Sequence, residues 1–404
     1  MKSSFLEKLF VPKTIPSVLG LGITTTIGYG TLFYSFTILS ISLESYFGWS
    51  KSFLFGVFSF GLLLGGLVTP YVGKKLDKYG ARIVMSIGSI LAFLGLYFLS
   101  TVETKLEFIV AIIFIEIVST FVLYEAAFVA FSQIAKQKAR LPITQITLIA
   151  GFASTIFWPL ISYLLQYFTW QETYLILALF HLFIAFPLHL FTLPNKKLAN
   201  KQIQHEDNAL YNRFERKKHT KKSMVLIAIA LCCIAVVITS IQTHLIGIMD
   251  SFGIEIALAV TLGALIGPAQ VGARMFEMLV AKRITPITSS IISTSLVFLS
   301  VVTLLFCGYS ILIATLFVVL FGAGQGLNYI ARGSLPLYIL GSDNFGRNSG
   351  YLNLYIKVVT AVAPFGFALS VDYFGNIESI FILLFLSVIS VISLYLIPRK
   401  IENV

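Results

Sequence analysis

Gly73-Lys74-Lys75-Leu76-Asp77-Lys78-Tyr79-Gly80-Ala81-Arg82 is a charged turn set between two apolar runs, near 52–72 and 83–101. Gly73 and Gly80 permit a tight reversal of the chain. Asp77 stands where a carboxylate pairs with a neighbouring cation or with the positive end of a helix. The flanking runs are each about twenty apolar residues, the length that crosses a bilayer as a helix. A turn of this kind joins two crossings at one face of a membrane.

The pattern extends over all 404 residues, of which 57% are AVILMFWYC and 12% DEKR. Soluble chains carry about 45–50% apolar and about 25% charged residues, so a soluble α/β enzyme, a disordered chain and a coiled coil are excluded. A membrane β-barrel needs alternating apolar and polar positions, whereas 287–305 is apolar on every face. Hydropathy breaks predict twelve helical spans near 17–42, 52–72, 83–101, 108–131, 143–166, 173–193, 224–250, 255–281, 287–306, 310–335, 347–372 and 378–398, numbered 1 to 12 below. The expected fold class is an all-α membrane protein: an N-terminal six-helix bundle (1–194), a cytoplasmic linker (195–223) and a C-terminal six-helix bundle (224–404). No length remains for a soluble catalytic domain.

Net charge is +11, and its distribution follows the loops. With the N-terminus inside, Lys51 and Lys105 are the only cations on outer loops, and Arg274 and Lys357 the only ones deep within spans. Every other Lys and Arg falls on an inner segment, so both termini are expected to be cytoplasmic. Glu44, Glu103, Glu107, Glu172, Asp250, Glu255, Asp372 and Glu378 lie on the outer side. The basic balance therefore reports topology rather than a nucleic-acid partner. Arg213-Phe214-Glu215-Arg216-Lys217-Lys218 in the linker either lies on the anionic inner leaflet or is a solvated connection. Cys232, Cys233 and Cys307 fall in apolar runs and suggest neither a disulfide framework nor a metal site. Residues 1–16 lead into a run too long for a signal peptide, which reads as span 1. Economy of length suits a bacterial inner membrane.

The turn at 73–82 resembles the G-x-L-a-D-R-x-G-R-R signature of the major facilitator superfamily, with Lys78 for the usual Arg and Ala81 for one basic residue. The resemblance implies two bundles related by a pseudo-twofold axis, one midplane site and transport by alternating access. It also implies a conformational role, without substrate contact, for Gly73, Asp77, Gly80 and Arg82. Within that superfamily, Gly28-Tyr29-Gly30-Thr31-Leu32-Phe33-Tyr34-Ser35-Phe36 and Phe47-Gly48-Trp49-Ser50 look like the opening of the oxalate/formate antiporter and monocarboxylate transporter group. An Arg in span 8 and a Lys in span 11 fit the same group, whose counterparts bracket a small anion. Span 5, with Gly151-Phe152-Ala153-Ser154-Thr155-Ile156-Phe157-Trp158-Pro159, lacks the G-P-x-x-G-G pattern of proton-driven drug exporters.

Five ionisable residues lie deep in spans: Glu116, Glu125, Arg274, Glu277 and Lys357. Such residues are functional by default, because a charge in the bilayer centre costs a few kcal/mol unless it meets a partner or a watery cavity. Gly267, Gln270, Arg274 and Glu277 stack along one helical face. Arg274 suits a carboxylate held by two parallel hydrogen bonds, unless Glu277 one turn away neutralises it. Gly350, Asn353, Lys357, Thr360 and Pro364 share a face of span 11, with Lys357 near mid-span, where a lysine reaches an interface poorly. Arg274, Lys357, Gln270, Asn353, Tyr29 and Tyr34 are thus the expected substrate-binding residues, the two tyrosines lining the pocket unless they are packing. Glu125, Glu116 and Glu277 are proton-coupling candidates; on one continuous helix, Glu116 and Glu125 point about 180° apart.

Gly322-Ala323-Gly324-Gln325-Gly326 lies within an apolar run and reads as close helix packing, not a nucleotide loop. His181, His189 and His244 show no metal spacing, and no nucleophile–base set assembles. The expectation is a monomeric secondary transporter in the bilayer, without cofactor or metal, exchanging a small mono- or dicarboxylate or carrying it with protons. The alternative is proton-coupled efflux of a hydrophobic or cationic compound, with Glu125 or Glu116 as counter-charge. A transport-dead sensor would need a large cytoplasmic module, against which the short tails argue.

Overall fold

A computed structural model describes residues 14–195, 221–281 and 283–397. Most of the linker, with its Arg213–Lys218 run, and Lys282 lie outside the described residues. The described chain is helical and contains no strand. Eleven of its helical segments are long and apolar enough to cross a membrane. The predicted span 8 is not among them because it is interrupted: one helix ends at Gly263 and the next, Ile266–Val280, starts after two intervening residues. Counting that pair as one crossing gives the twelve-helix, all-α membrane fold.

The chain divides into two compact units. The first comprises 1–217 with 341–354, and the second 218–340 with 355–404. Residues 341–354 join the first unit by their contacts although they lie in the C-terminal half of the chain. The helix Phe345–Phe374 therefore begins in one unit and continues in the other.

In the first unit two helix starts are capped by residues suited to it. Thr104 and Glu107, and Thr169 and Glu172, form reciprocal capping boxes at the starts of spans 4 and 6. Glu107 and Glu172 thus satisfy helix-end amides. Phe36, Phe58, Phe108, Trp170 and Tyr174 pack a buried core with Leu39, Leu43 and Leu96. Four predicted continuous helices depart from regular α-helix inside the apolar region, span 5 at Gly151 and Phe152 between Arg140–Ala150 and Ala153–Tyr167. Span 1 passes through a π-helical segment, Tyr29–Tyr34, and span 6 through another, His181–Ala185. Span 4 stops at Val122, turns extended at Leu123 (φ −86°, ψ −169°) and restarts at Tyr124. The continuous helix assumed for comparing Glu116 with Glu125 is therefore absent.

The second unit packs Ile234, Ile241, Leu245, Val297, Val301, Phe317, Phe321 and Ile380 at its centre. Small residues bring its helices into backbone contact. A Cβ added at Gly322 or Gly326 would lie 2.7 Å from the carbonyl oxygen of Ile266 or Gln270, so the glycine run is indeed close packing against span 8. Serines stitch the helices: Ser293 Oγ donates to the Gly324 carbonyl at 2.8 Å and Ser390 Oγ to the Ala230 carbonyl at 2.8 Å.

Candidate functional site

The charged turn that opens the sequence reading is built around one carboxylate. Asp77 accepts hydrogen bonds from the backbone amides of Gly346 (2.9 Å) and Arg347 (2.8 Å), the first turn of the helix Phe345–Phe374. These amides have no partner within their own helix, and the negative charge sits at its positive end. The approach requires glycine: a Cβ on Gly73 would collide with the Gly346 carbonyl oxygen, and one on Gly346 would lie 2.5 Å from the Gly73 carbonyl. Gly80, at φ 86° and ψ 155°, makes the reversal that only glycine adopts freely. Gln133, which sequence reasoning missed, clamps it: its side chain accepts from the Ala81 amide (3.1 Å) and donates to the Leu76 carbonyl (2.9 Å). Arg82 is half-buried at the start of the next helix.

One helical turn further on, the same face of Phe345–Phe374 meets span 4. Glu125, Thr120 and Thr69 line a small cavity with Ser349, Gly350 and Asn353. Glu125, expected to carry a proton, and Asn353, expected to touch substrate, are thus brought together in the first unit. Asn353 donates to Ser349 Oγ at 3.3 Å. Glu116 lines a different cavity with Thr31, Ser35 and Tyr174. The two acids do part company, through the extended residue Leu123 rather than by helical phase.

Tyr29 and Tyr34 lie at the π-helical segment of span 1 and belong to an aromatic cluster. Tyr29 lies 4.8 Å from the ring centroid of Tyr124 and 6.3 Å from that of Tyr34, which is edge-on to Trp158 at 6.1 Å. Tyr124 stacks on Phe128 at 5.5 Å. The cluster begins beside Glu125 in sequence and ends at Trp158, which is 48% exposed.

In the second unit the polar face of span 8 packs onto spans 9 and 10. Arg274 is buried; its Nε donates to the Gly326 carbonyl (3.2 Å) and its Nη2 to Gln270 Oε1 (3.2 Å). Its guanidinium lies over the Tyr329 ring at 5.2 Å, a favourable cation–π placement. Gln270 donates onward to Gln325 Oε1 (2.8 Å), and Gln325 to Gln242 Oε1 (2.9 Å). Three amides from three helices thus run in one line to the guanidinium. Glu277, also buried, accepts from Ser289 Oγ at 3.4 Å. Gln242 and Gln325 escaped the sequence reading although an amide in an apolar run is itself a signal, since it must find a partner there.

Lys357 stands apart from this network. It is half-buried near the middle of Phe345–Phe374, and among the described residues its ammonium makes no hydrogen bond or ion pair. Asn353, one turn earlier, shares its face. No group of three or more His, Cys, Asp or Glu that could hold a metal ion occurs among the described residues.

Comparison with solved structures finds transporters of the same fold. The proton:xylose symporter XylE aligns at 13% identity over 94% of this chain and 96% of that one, with a TM-score of 0.69. The human organic anion transporter MFSD10 aligns at 15% identity over 95% and 100%, TM-score 0.71. The Escherichia coli fucose:proton symporter FucP aligns at 16% identity over 97% and 100%, TM-score 0.70. No curated protein sequence matches significantly. The profile of the Major Facilitator Superfamily matches residues 21–364, most of the chain, and the protein belongs to that superfamily of multi-pass membrane transporters rather than to any class of enzyme.

Proposed function

We propose that this transporter moves a small organic anion, a mono- or dicarboxylate, by alternating access, and that Lys357 supplies the charge that meets it. The observation that carries this reading is the Lys357 ammonium, half-buried at mid-helix with no anionic partner among the described residues. A cation left in an apolar region is costly unless a solute or water reaches it. Asn353 on the same face supplies a hydrogen-bond donor. Arg274, with Gln270, takes part from within its amide line, releasing one bond to the anion as the carrier changes state. Tyr29 and Tyr34 contribute aromatic wall. Gly73, Asp77, Gly80 and Arg82 govern a conformation, because Asp77 holds a helix end rather than a cavity. Glu125, Glu116 and Glu277 remain proton-coupling candidates, in an inner membrane with both chain ends cytoplasmic. Counterflow of labelled carboxylates in proteoliposomes, comparing the parent with Lys357→Gln, tests the reading.

A second reading has its own observation. The aromatic cluster of Tyr29, Tyr34, Tyr124, Phe128 and Trp158 beside Glu125 is the environment that attracts an apolar cation. Efflux of such a compound predicts drug resistance in cells that carry the gene and susceptibility when Glu125 is replaced by Gln; the carboxylate reading predicts neither.

A further inference from the structure

The sequence reading counts Arg332 with the inner segments, but the helix of span 10 runs from Ile311 to Leu340 and holds it within. Eight residues, about 12 Å at 1.5 Å per residue, separate it from the helix end, and it is half-buried. A guanidinium that far into a span is costly unless it meets a partner or water.

Its hydrogen bond and its ring contact both run backward along the same helix. Nε donates to Asn328 Oδ1 at 3.2 Å, and the guanidinium lies over the Tyr329 ring at 5.5 Å. Both partners precede Arg332, so the charge is drawn toward the middle of the helix. An arginine reaching for the membrane surface would extend toward the nearer end instead. One edge of the guanidinium is thus fixed by the amide and one face by the ring. The two Nη groups, the fork that matches an oxyanion through parallel hydrogen bonds, make no hydrogen bond or ion pair among the described residues.

The same tyrosine ring carries a second cation. Arg274 lies 5.2 Å from its centroid, and that guanidinium is met by the Gly326 carbonyl and the Gln270 amide, with Glu277 one turn along its own helix. Arg332 has no such set. Two like charges on one ring repel, and little screens them where water is scarce. Asn328 adds to the surplus of donors. A guanidinium only donates, so the amide oxygen must face Arg332, and Nδ2 is left to find an acceptor elsewhere. Asn328 is 3% exposed and its Nδ2 has no partner. Leucine at that position would carry no such penalty. Donors and positive charge in excess at one point are the complement of an anion.

We propose that Arg332, held by Asn328 and Tyr329, is a second anion site of the second unit, and that it binds a small soluble oxyanion: a carboxylate, sulfate or phosphate. The anion accepts from the two Nη groups and offsets the repulsion across the Tyr329 ring. Asn328 Nδ2, on the same amide as the oxygen that Nε holds, is the donor beside it. The site is separate from Lys357 and does not depend on what that residue binds.

Thermal unfolding of the full chain in detergent, carrying Lys357→Gln so that an anion at Lys357 contributes nothing, tests the proposal. Sodium sulfate and sodium succinate are titrated at millimolar concentrations, where the general stabilising effect of such salts is small, against sodium chloride of equal ionic strength. The transition should rise saturably with either oxyanion and not with chloride. Adding Arg332→Gln should abolish the rise, and adding Arg332→Lys, which keeps the charge and loses the fork, should weaken it. Asn328→Asp places an anion four residues before the arginine, so it should raise the transition before any salt is added and remove the response to sulfate. Identical titrations with and without Arg332→Gln overturn the proposal. If Arg332→Gln fails to fold, an undiminished sulfate response in Asn328→Asp overturns it. A rise with phosphatidylglycerol in the micelle but none with sulfate or succinate assigns Arg332 to a lipid headgroup and overturns it as well. Because Lys357 is replaced throughout, failure here leaves the Lys357 reading standing, and the counterflow test of Lys357 can fail with this site intact.

Discussion

Asp77 accepts the amide of Gly346 at 2.9 Å across 269 positions of sequence, and with the Arg347 amide at 2.8 Å it caps the helix Phe345–Phe374. The cap is a carboxylate from one turn of the chain holding the start of another segment. A side chain on either glycine of the contact would push the two backbones apart. The motif is therefore a mechanical clamp, its charge and its missing side chains acting at the same point.

Asp77→Ala removes both acceptors, and the loss of a helix cap costs about 0.5–2 kcal/mol. Hydrogen exchange of the amides of Gly346 and Arg347 should accelerate several-fold. Asp77→Asn keeps one acceptor oxygen and should give a smaller change. Unaltered exchange in the alanine variant would show that the cap contributes nothing.

Gly73→Ala places a methyl group against the Gly346 carbonyl oxygen. Overpacking of this kind costs on the order of 1–3 kcal/mol. The thermal transition of the purified carrier should fall, or the clamp should open so that Gly346 exchanges as it does in Asp77→Ala. Gly56→Ala, where an added Cβ meets nothing within 4 Å, is the matched control and should leave both readings unchanged.

Gln325→Leu cuts the amide line in its middle. Gln270 loses its acceptor and Gln242 its donor. Each unsatisfied buried group costs about 1–3 kcal/mol, and the effects are coupled because the amides form one chain. Thermal unfolding should show Gln325→Leu destabilised more than Thr315→Ala, a change at an exposed hydroxyl of the same helix.

The crossings were legible because apolar composition and loop charge both follow from the bilayer, and the turn at 73–82 stood out by its glycine and aspartate spacing. The interruptions were not. Tyr29–Tyr34 and Leu123 carry no proline, and although Pro187 follows His181–Ala185 by two residues and lacks the amide that would bond within it, a proline does not specify which irregular helix results. Asn353 and Glu125 were each singled out, but periodicity within a single helix says nothing of a partner 228 positions away, so their shared cavity appears only in the fold. Arg274 was expected on a substrate-binding helical face; the packed carbonyl of Gly326 and the amide of Gln270, which now hold it, are contacts that helical phase alone does not specify.

The central claim concerns Lys357 and is tested most directly by counterflow of labelled mono- and dicarboxylates into proteoliposomes. The account predicts saturable counterflow of at least one carboxylate by the parent, none by Lys357→Gln, and partial activity in Lys357→Arg, which keeps the charge. Equal counterflow by the parent and Lys357→Gln, with both proteins folded, would contradict it.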